Sequence, residues 1–151
     1  MQRIVALGAA HDVLFAKGWG GAHVQDIAAA TLAPLVGDGR LEVTGPDLAI
    51  GAHSAVSLAL VLHELATNAM KYGALSNAEG RILLNWDFAG DALSLTWRET
   101  GGPAVSPPQR LGFGSRLIDM GLSPQGSVQR RYLPEGFTAT ITAPYAEVFT
   151  G

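Results

Sequence analysis

The chain has 151 residues, with 10 Lys and Arg against 13 Asp and Glu, and so a formal charge of −3. That length suits one domain with a real hydrophobic core, and 48% apolar with 15% charged residues excludes intrinsic disorder. The charge balance lacks the basic stripe that nucleic-acid binding needs, and zero cysteines exclude disulfides, thiolate catalysis and Cys-type zinc sites.

Residues 3–15 place Ile4, Leu7, His11 and Leu14 on one helical face, and Lys17-Gly18 breaks the pattern. His11 and Asp12 sit where a signal peptide would carry its apolar core, so no signal peptide is expected. Residues 24–35 read as a second helix with Ile27, Leu32 and Leu35 apolar and Pro34 near its end. Residues 40–44 alternate and residues 48–50 are apolar, with Gly45-Pro46 between them, which predicts a hairpin. Residues 54–71 are the strongest helix signal. The apolar run at 55–62 is broken by Ser57 and ends at His63-Glu64, far short of the roughly 20 residues of a membrane span. A turn is predicted at 77–80, then strands at 81–88 and 92–98, a Pro/Gly-rich loop at 101–112, a short helix at 113–120, and a last hairpin of 127–133 with 137–142.

The strands come in hairpins rather than in single βα alternation. This predicts an α+β fold, a two-layer α/β sandwich with a mixed, mostly antiparallel sheet and helices on one face. No G-x-G-x-x-G follows a strand and no G-x-x-x-x-G-K-[ST] occurs, so a doubly wound nucleotide fold is not expected.

On the central helix Glu64, Asn68 and Lys71 recur at i, i+4 and i+7, within an arc of roughly 60°. Leu58, Leu62, Leu65 and Ala69 take the opposite side. A carboxylate, an amide and an ammonium in one line suit a Mg–phosphate site. The same pattern also describes an ordinary solvated helix face. Pattern alone leaves both open.

The run from His63 to Ser76, HELATNAMKYGALS, closely resembles the N box of the HWE histidine kinases, part of the wider GHKL group. Trp97-Arg98-Glu99 matches that family's W-x-E signature, continued by Thr100-Gly101-Gly102-Pro103, and residues 112–118 (GFGSRLI) resemble its second glycine box. The motifs come in family order, and the similarity extends through 3–14 and 19–34. The resemblance implies a Bergerat-type fold that binds ATP and Mg²⁺. Glu64 would be the catalytic carboxylate, Asn68 the Mg²⁺ ligand, Lys71 a phosphate contact, and Tyr72 a neighbour of the nucleotide. Glu99 stands where the wider group has an Asp that accepts from the adenine amino group; it is one methylene longer, so the base would sit differently. Gly101 and Gly102 would let backbone approach the base, and Gly112, Gly114 and Ser115 would open a helix whose free N–H groups favour phosphate.

His63 reads as site-supporting rather than as a phosphoacceptor, since it lies within the N box. His11 reads as structural or interfacial. Trp97 reads as a core residue or pocket wall, and Arg116 as either a phosphate contact or an exposed helix residue. Met70 is larger than the small residue expected at its position.

The resemblance assigns residues 1–16 to the end of a dimerisation and phosphotransfer helix and 17–151 to the catalytic domain. The family's H-R-x-K-N-like acceptor motif does not occur. The expected function is that of the ATP-binding catalytic domain of a bacterial two-component sensor histidine kinase. It would act in the cytoplasm on a histidine-bearing dimerisation domain, which passes phosphate to a response regulator. The alternatives are a non-catalytic kinase-like adaptor and a serine kinase of the anti-sigma type.

Overall fold

A computed structural model describes residues 22–37, 39–104, 121–123 and 125–150. The predicted helices at 3–15 and 113–120, most of the 101–112 loop, and His11, Gly112, Gly114, Ser115 and Arg116 lie outside the described residues.

The described chain runs β1 (Ala22–His23), α1 (Val24–Val36), β2 (Leu41–Thr44), β3 (Ala49–Ile50), α2 (Ala52–Tyr72), a single 3-10 turn (Ala74–Ser76), β4 (Arg81–Ala89), β5 (Ala92–Thr100), β6 (Ser127–Leu133), β7 (Gly136–Pro144) and α3 (Tyr145–Thr150). Five strands form one sheet in the order β2-β4-β5-β7-β6. Only β2 and β4 pair in parallel; the other pairs are antiparallel. The expected mixed, mostly antiparallel sheet with a helical layer is therefore present.

The period-2 pattern of the strands sorts their side chains. Ile82, Leu84 and Trp86 on β4, Leu93, Leu95 and Trp97 on β5, and Ala139, Ile141 and Ala143 on β7 are buried on one face. Against that face lie the apolar stripes of the two long helices. Leu58, Leu62, Leu65 and Ala69, placed by helical spacing on the apolar side of α2, are all buried. Ile27, Ala28 and Leu32 do the same for α1. The other sheet face carries Thr96, Arg98, Thr138, Thr140 and Thr142 and is half-buried or exposed, as one-sided antiparallel sheets usually are.

The β4–β5 turn is a two-residue loop, Gly90-Asp91, between the paired Ala89 and Ala92. Gly90 has φ +64°, the left-handed conformation that such tight hairpins require.

The hairpin predicted at 40–50 does not form. β2 instead pairs in parallel with β4, and α2 makes the crossover between them, the connection that parallel neighbours need. β3 turns away to pair with β1, Ala22 opposite Ile50 and His23 opposite Ala49. The reason is the bed under Gly45-Pro46. Gly45 lies so close to the Trp86 indole that a Cβ would enter the ring, and Trp86 Nε1 donates to Pro46 O at 2.7 Å. The turn is fastened to β4 rather than folded back on β2. Trp86→Phe keeps an aromatic ring but removes this donor and part of the buried indole, and is expected to lower stability by at least about 0.5–1.5 kcal/mol, the contribution of the hydrogen bond alone, in urea unfolding.

α3 was not expected from the sequence. It is only six residues long and follows Pro144 directly. Tertiary bonds hold it: the Tyr145 hydroxyl donates to Ala49 O at 2.9 Å, and Gly51 N–H donates to Val148 O at 2.9 Å.

Candidate functional site

The line of polar groups on α2 is graded from inside to outside. Glu64 is buried, with 5% of its surface exposed. Asn68, one turn on, is half-buried, and Lys71 is exposed near the helix end. The gradient arises because α2 runs 21 residues, roughly 31 Å, so its last turns pass beyond the buried middle of the helix. Tyr72 closes the helix and is 71% exposed. Met70 beside it is also exposed. His63 is buried, and its backbone carbonyl accepts from Thr67 Oγ1 at 2.8 Å.

Glu99, near the end of β5, is buried as well. Its two oxygens face different partners. Oε1 accepts from the Ala74 backbone N–H at 3.0 Å, and Oε2 accepts from the Trp97 indole N–H at 2.9 Å. Trp97 and Glu99 are two residues apart on a strand, so they share a face. The W-x-E spacing thus has a local meaning: the indole, itself fully buried, supplies a donor to a carboxylate that burial would otherwise leave short of one. Trp97 is a core residue with a polar task. Burial pushes the Glu99 carboxyl above its ordinary value, while the Ala74 N–H and the Trp97 N–H pull it down.

Ala74 is the crossing point of the site. Gly73, Gly80 and Gly102 crowd it or its carboxylate partner: a Cβ on Gly73 would strike Glu99 Oε1, one on Gly80 would strike Ala74 O, and one on Gly102 would lie 2.5 Å from Ala74 Cα. Gly102 is therefore a close-approach glycine, against the chain's own backbone. Gly101 has φ +74°, and its carbonyl accepts from Asn77 Nδ2 at 3.3 Å. The predicted turn at 77–80 is built by the same asparagine: Oδ1 accepts from Glu79 N–H at 3.1 Å and from Gly80 N–H at 2.9 Å.

Sequence reasoning missed Arg40. It stands at the mouth of β2 and donates from Nε to Gly80 O at 2.9 Å, and through its NH2 group to Ala74 O at 3.0 Å and to Asn77 O. Nothing in its local sequence marks it, since its partners lie 34 to 40 residues away.

The structure thus brings the end of α2, the 73–80 loop and the end of β5 together around Ala74. Among the described residues, no group of three His, Asp or Glu side chains could hold a metal ion. Mg²⁺ does not require such a group, since it takes one or two protein oxygens and completes its shell with phosphates and water.

The HWE histidine kinase family model matches residues 1–47. A blue-light-activated histidine kinase of Brucella anthropi is 39% identical over 157 residues, covering 98% of this chain and 32% of that protein. One of Brucella ovis is 38% identical over 159 residues, covering 99% and 32%. The chain spans about a third of the length of these relatives. Among solved structures, a histidine kinase domain of an Erythrobacter litoralis blue-light activated histidine kinase superposes with a TM-score of 0.74 at 20% identity, over 97% of this chain and 74% of that one. The Acinetobacter baumannii histidine kinase AdeS gives 0.59 at 14% identity, over 93% and 76%. These two likenesses establish the fold. No described helix is long and apolar enough to cross a membrane.

Proposed function

The chain belongs with the HWE histidine kinases, and on that premise we propose that it is an ATP-binding catalytic domain that hands the γ-phosphate of Mg·ATP to a histidine on a dimerisation helix. One observation carries the reading. A merely solvated helix face would expose Glu64, yet Glu64 is 5% exposed while Asn68 and Lys71 on the same line open progressively outward. A carboxylate is almost never fully buried unless it is paired, so Glu64 is a held group and not a solvated one.

Bound Mg·ATP would supply the phosphoryl group and a cation to offset its charge. Around it each residue has a chemical task. Asn68 offers an amide oxygen to Mg²⁺, and Lys71 brings a point charge to phosphate. Glu64 polarises the attacking imidazole by accepting a hydrogen bond from its ring N–H. His63, beside it, supports the site from the buried side of the helix. Glu99 already holds two N–H donors, and its remaining lone pairs are the acceptors available to an adenine amino group. Tyr72 would lie against the nucleotide, and Gly101 and Gly102 would line it with backbone. Gly112, Gly114 and Ser115 would present N–H groups to phosphate. Positioning and electrostatics of this kind are what phosphoryl transfer asks of a protein.

The histidine-bearing partner is a dimerisation domain, on another segment or another chain, and the next acceptor is an aspartate of a response regulator. The same reading places the domain in the cytoplasm, where its nucleotide is found.

Saturating Mg·ATP is expected to raise the melting temperature, since a ligand at 100 times its Kd adds about 2.7 kcal/mol. No rise would favour the non-catalytic adaptor. Asn68→Ala is expected to weaken Mg·ATP by about tenfold or more, as loss of a metal-ligand oxygen should. Titration with a fluorescent ATP analogue reads this directly, and unchanged affinity would remove Asn68 from the metal.

A further inference from the structure

We propose that Arg40 is a positioning residue for recognition of the nucleotide base, acting by locking the 73–80 loop so that the Ala74 N–H meets the Glu99 carboxylate. The inference rests on the ATP reading above and goes beyond it, because Arg40 belongs to none of the motifs that carry that reading.

The geometry is a relay through one residue. Arg40 holds the carbonyl of Ala74, and Glu99 holds its N–H. With both peptide groups flanking the Ala74 Cα tied down, the backbone angles between them are fixed. Arg40 also grips Gly80 O and Asn77 O, so the loop is held at its start, middle and end by one planar guanidinium. Only arginine offers several donors in a rigid fork; lysine is a point charge. The backbone of Arg40 is anchored too, since its carbonyl accepts from Ile82 N–H at 2.8 Å. Edge strand β2 is thereby made part of the site.

The carbonyls that Arg40 holds lie on a half-open loop: Asn77 is exposed, and the bonds to Ala74 and Gly80 are part-buried. Without Arg40 they can turn to water. The fold survives, but the loop drifts and Oε1 of Glu99 loses its fixed donor. A wandering carboxylate discriminates poorly between bases. Adenine offers an amino donor where guanine offers a carbonyl acceptor, so a fixed carboxylate favours ATP and disfavours GTP.

The test measures Mg·ATP and Mg·GTP affinities of the whole chain for Arg40→Met, Arg40→Lys and a control, Trp86→Phe, which loosens the far end of the β2–β4 pair. Arg40→Met is expected to weaken ATP about tenfold, the size of a lost hydrogen bond to a charged group, and to leave GTP unchanged. Arg40→Lys keeps the charge without the fork and loses about half of that preference on a logarithmic scale, roughly threefold. Trp86→Phe lowers the melting temperature and leaves the ATP/GTP ratio as in the parent.

Equal weakening of both nucleotides, or an unchanged ratio in both Arg40 variants, would overturn the proposal. If Arg40→Met does not fold, Arg40→Lys decides alone: an unaltered ratio overturns it. A parent chain that binds no Mg·ATP defeats the ATP reading and this inference with it. A parent that binds ATP while the ratio stays fixed in the variants defeats this inference only.

Discussion

Glu64→Gln is expected to bind Mg·ATP as the parent does and to transfer phosphate about 100- to 10,000-fold more slowly, the usual contribution of a positioned acid–base group. The substitution keeps the shape and removes the charge. Shape matters here because Glu64 is buried, and an alanine would leave a gap in the middle of α2. Charge matters because an ionised carboxylate only accepts hydrogen bonds and so can polarise an imidazole N–H, whereas an amide also presents donors. The measurement supplies a separate histidine-bearing helical fragment with labelled ATP and follows acid-labile phosphate on it. A Gln variant that transfers at the parent rate would take Glu64 out of the chemistry. A variant that no longer binds nucleotide would make it a binding residue instead.

Glu99→Gln is expected to destabilise the fold by about 1–3 kcal/mol, the penalty of stranding one buried donor. Glu99 accepts at both oxygens, from Ala74 N–H and from Trp97 Nε1–H. An amide has one oxygen, so its NH2 group must face one of those two donors. The effect depends on pH with a definite sign. Burial raises the Glu99 pKa above its ordinary 4.5. Between that value and the raised one, the native state holds more protons than the unfolded state, so stability falls as pH rises through the window. The titratable part of the parent's stability is fully present below about pH 4.5 and diminishes as pH climbs through the folded pKa, so the difference from Glu99→Gln narrows by that part. Urea unfolding of both proteins across this range tests it. A difference that grows with pH would mean that the two N–H donors outweigh burial. ATP affinity of the Gln variant should fall as well, since the acceptor set facing the base is halved.

Much of the fold was legible because its strands and long helices repeat with clean periods. The helix at 54–71, the strands at 81–88 and 92–98 and the last hairpin all form, with ends shifted by a residue or two. The leucines that helical spacing puts on the inner face of α2 are the ones buried. The failed hairpin at 40–50 shows the limit. Gly45-Pro46 is a sound turn signal, but a turn does not say which strand the chain rejoins. That was settled by Trp86, 40 residues from Pro46. α3 was equally illegible, since its bonds to Ala49 and Gly51 come from the far side of the sequence.

The site divides in the same way. Chain spacing put Glu64, Asn68 and Lys71 in line, because helical periodicity is local. It could not say that Glu64 would be buried and Lys71 exposed, since burial depends on what packs over each turn. W-x-E was readable as a motif, but the bond from Trp97 to Glu99 needs both side chains turned to the same buried face. Arg40 left no trace at all. The sequence by itself determined the residue types, their order and their local periods, and through them the sheet, the helices and the polar line on α2. The tertiary structure decided what meets across the chain: the three glycines around Ala74, the arginine that grips its loop, and the carboxylate that takes its N–H. The arginine and carboxylate contacts join residues 25 to 40 positions apart, and no local period encodes a meeting at that distance.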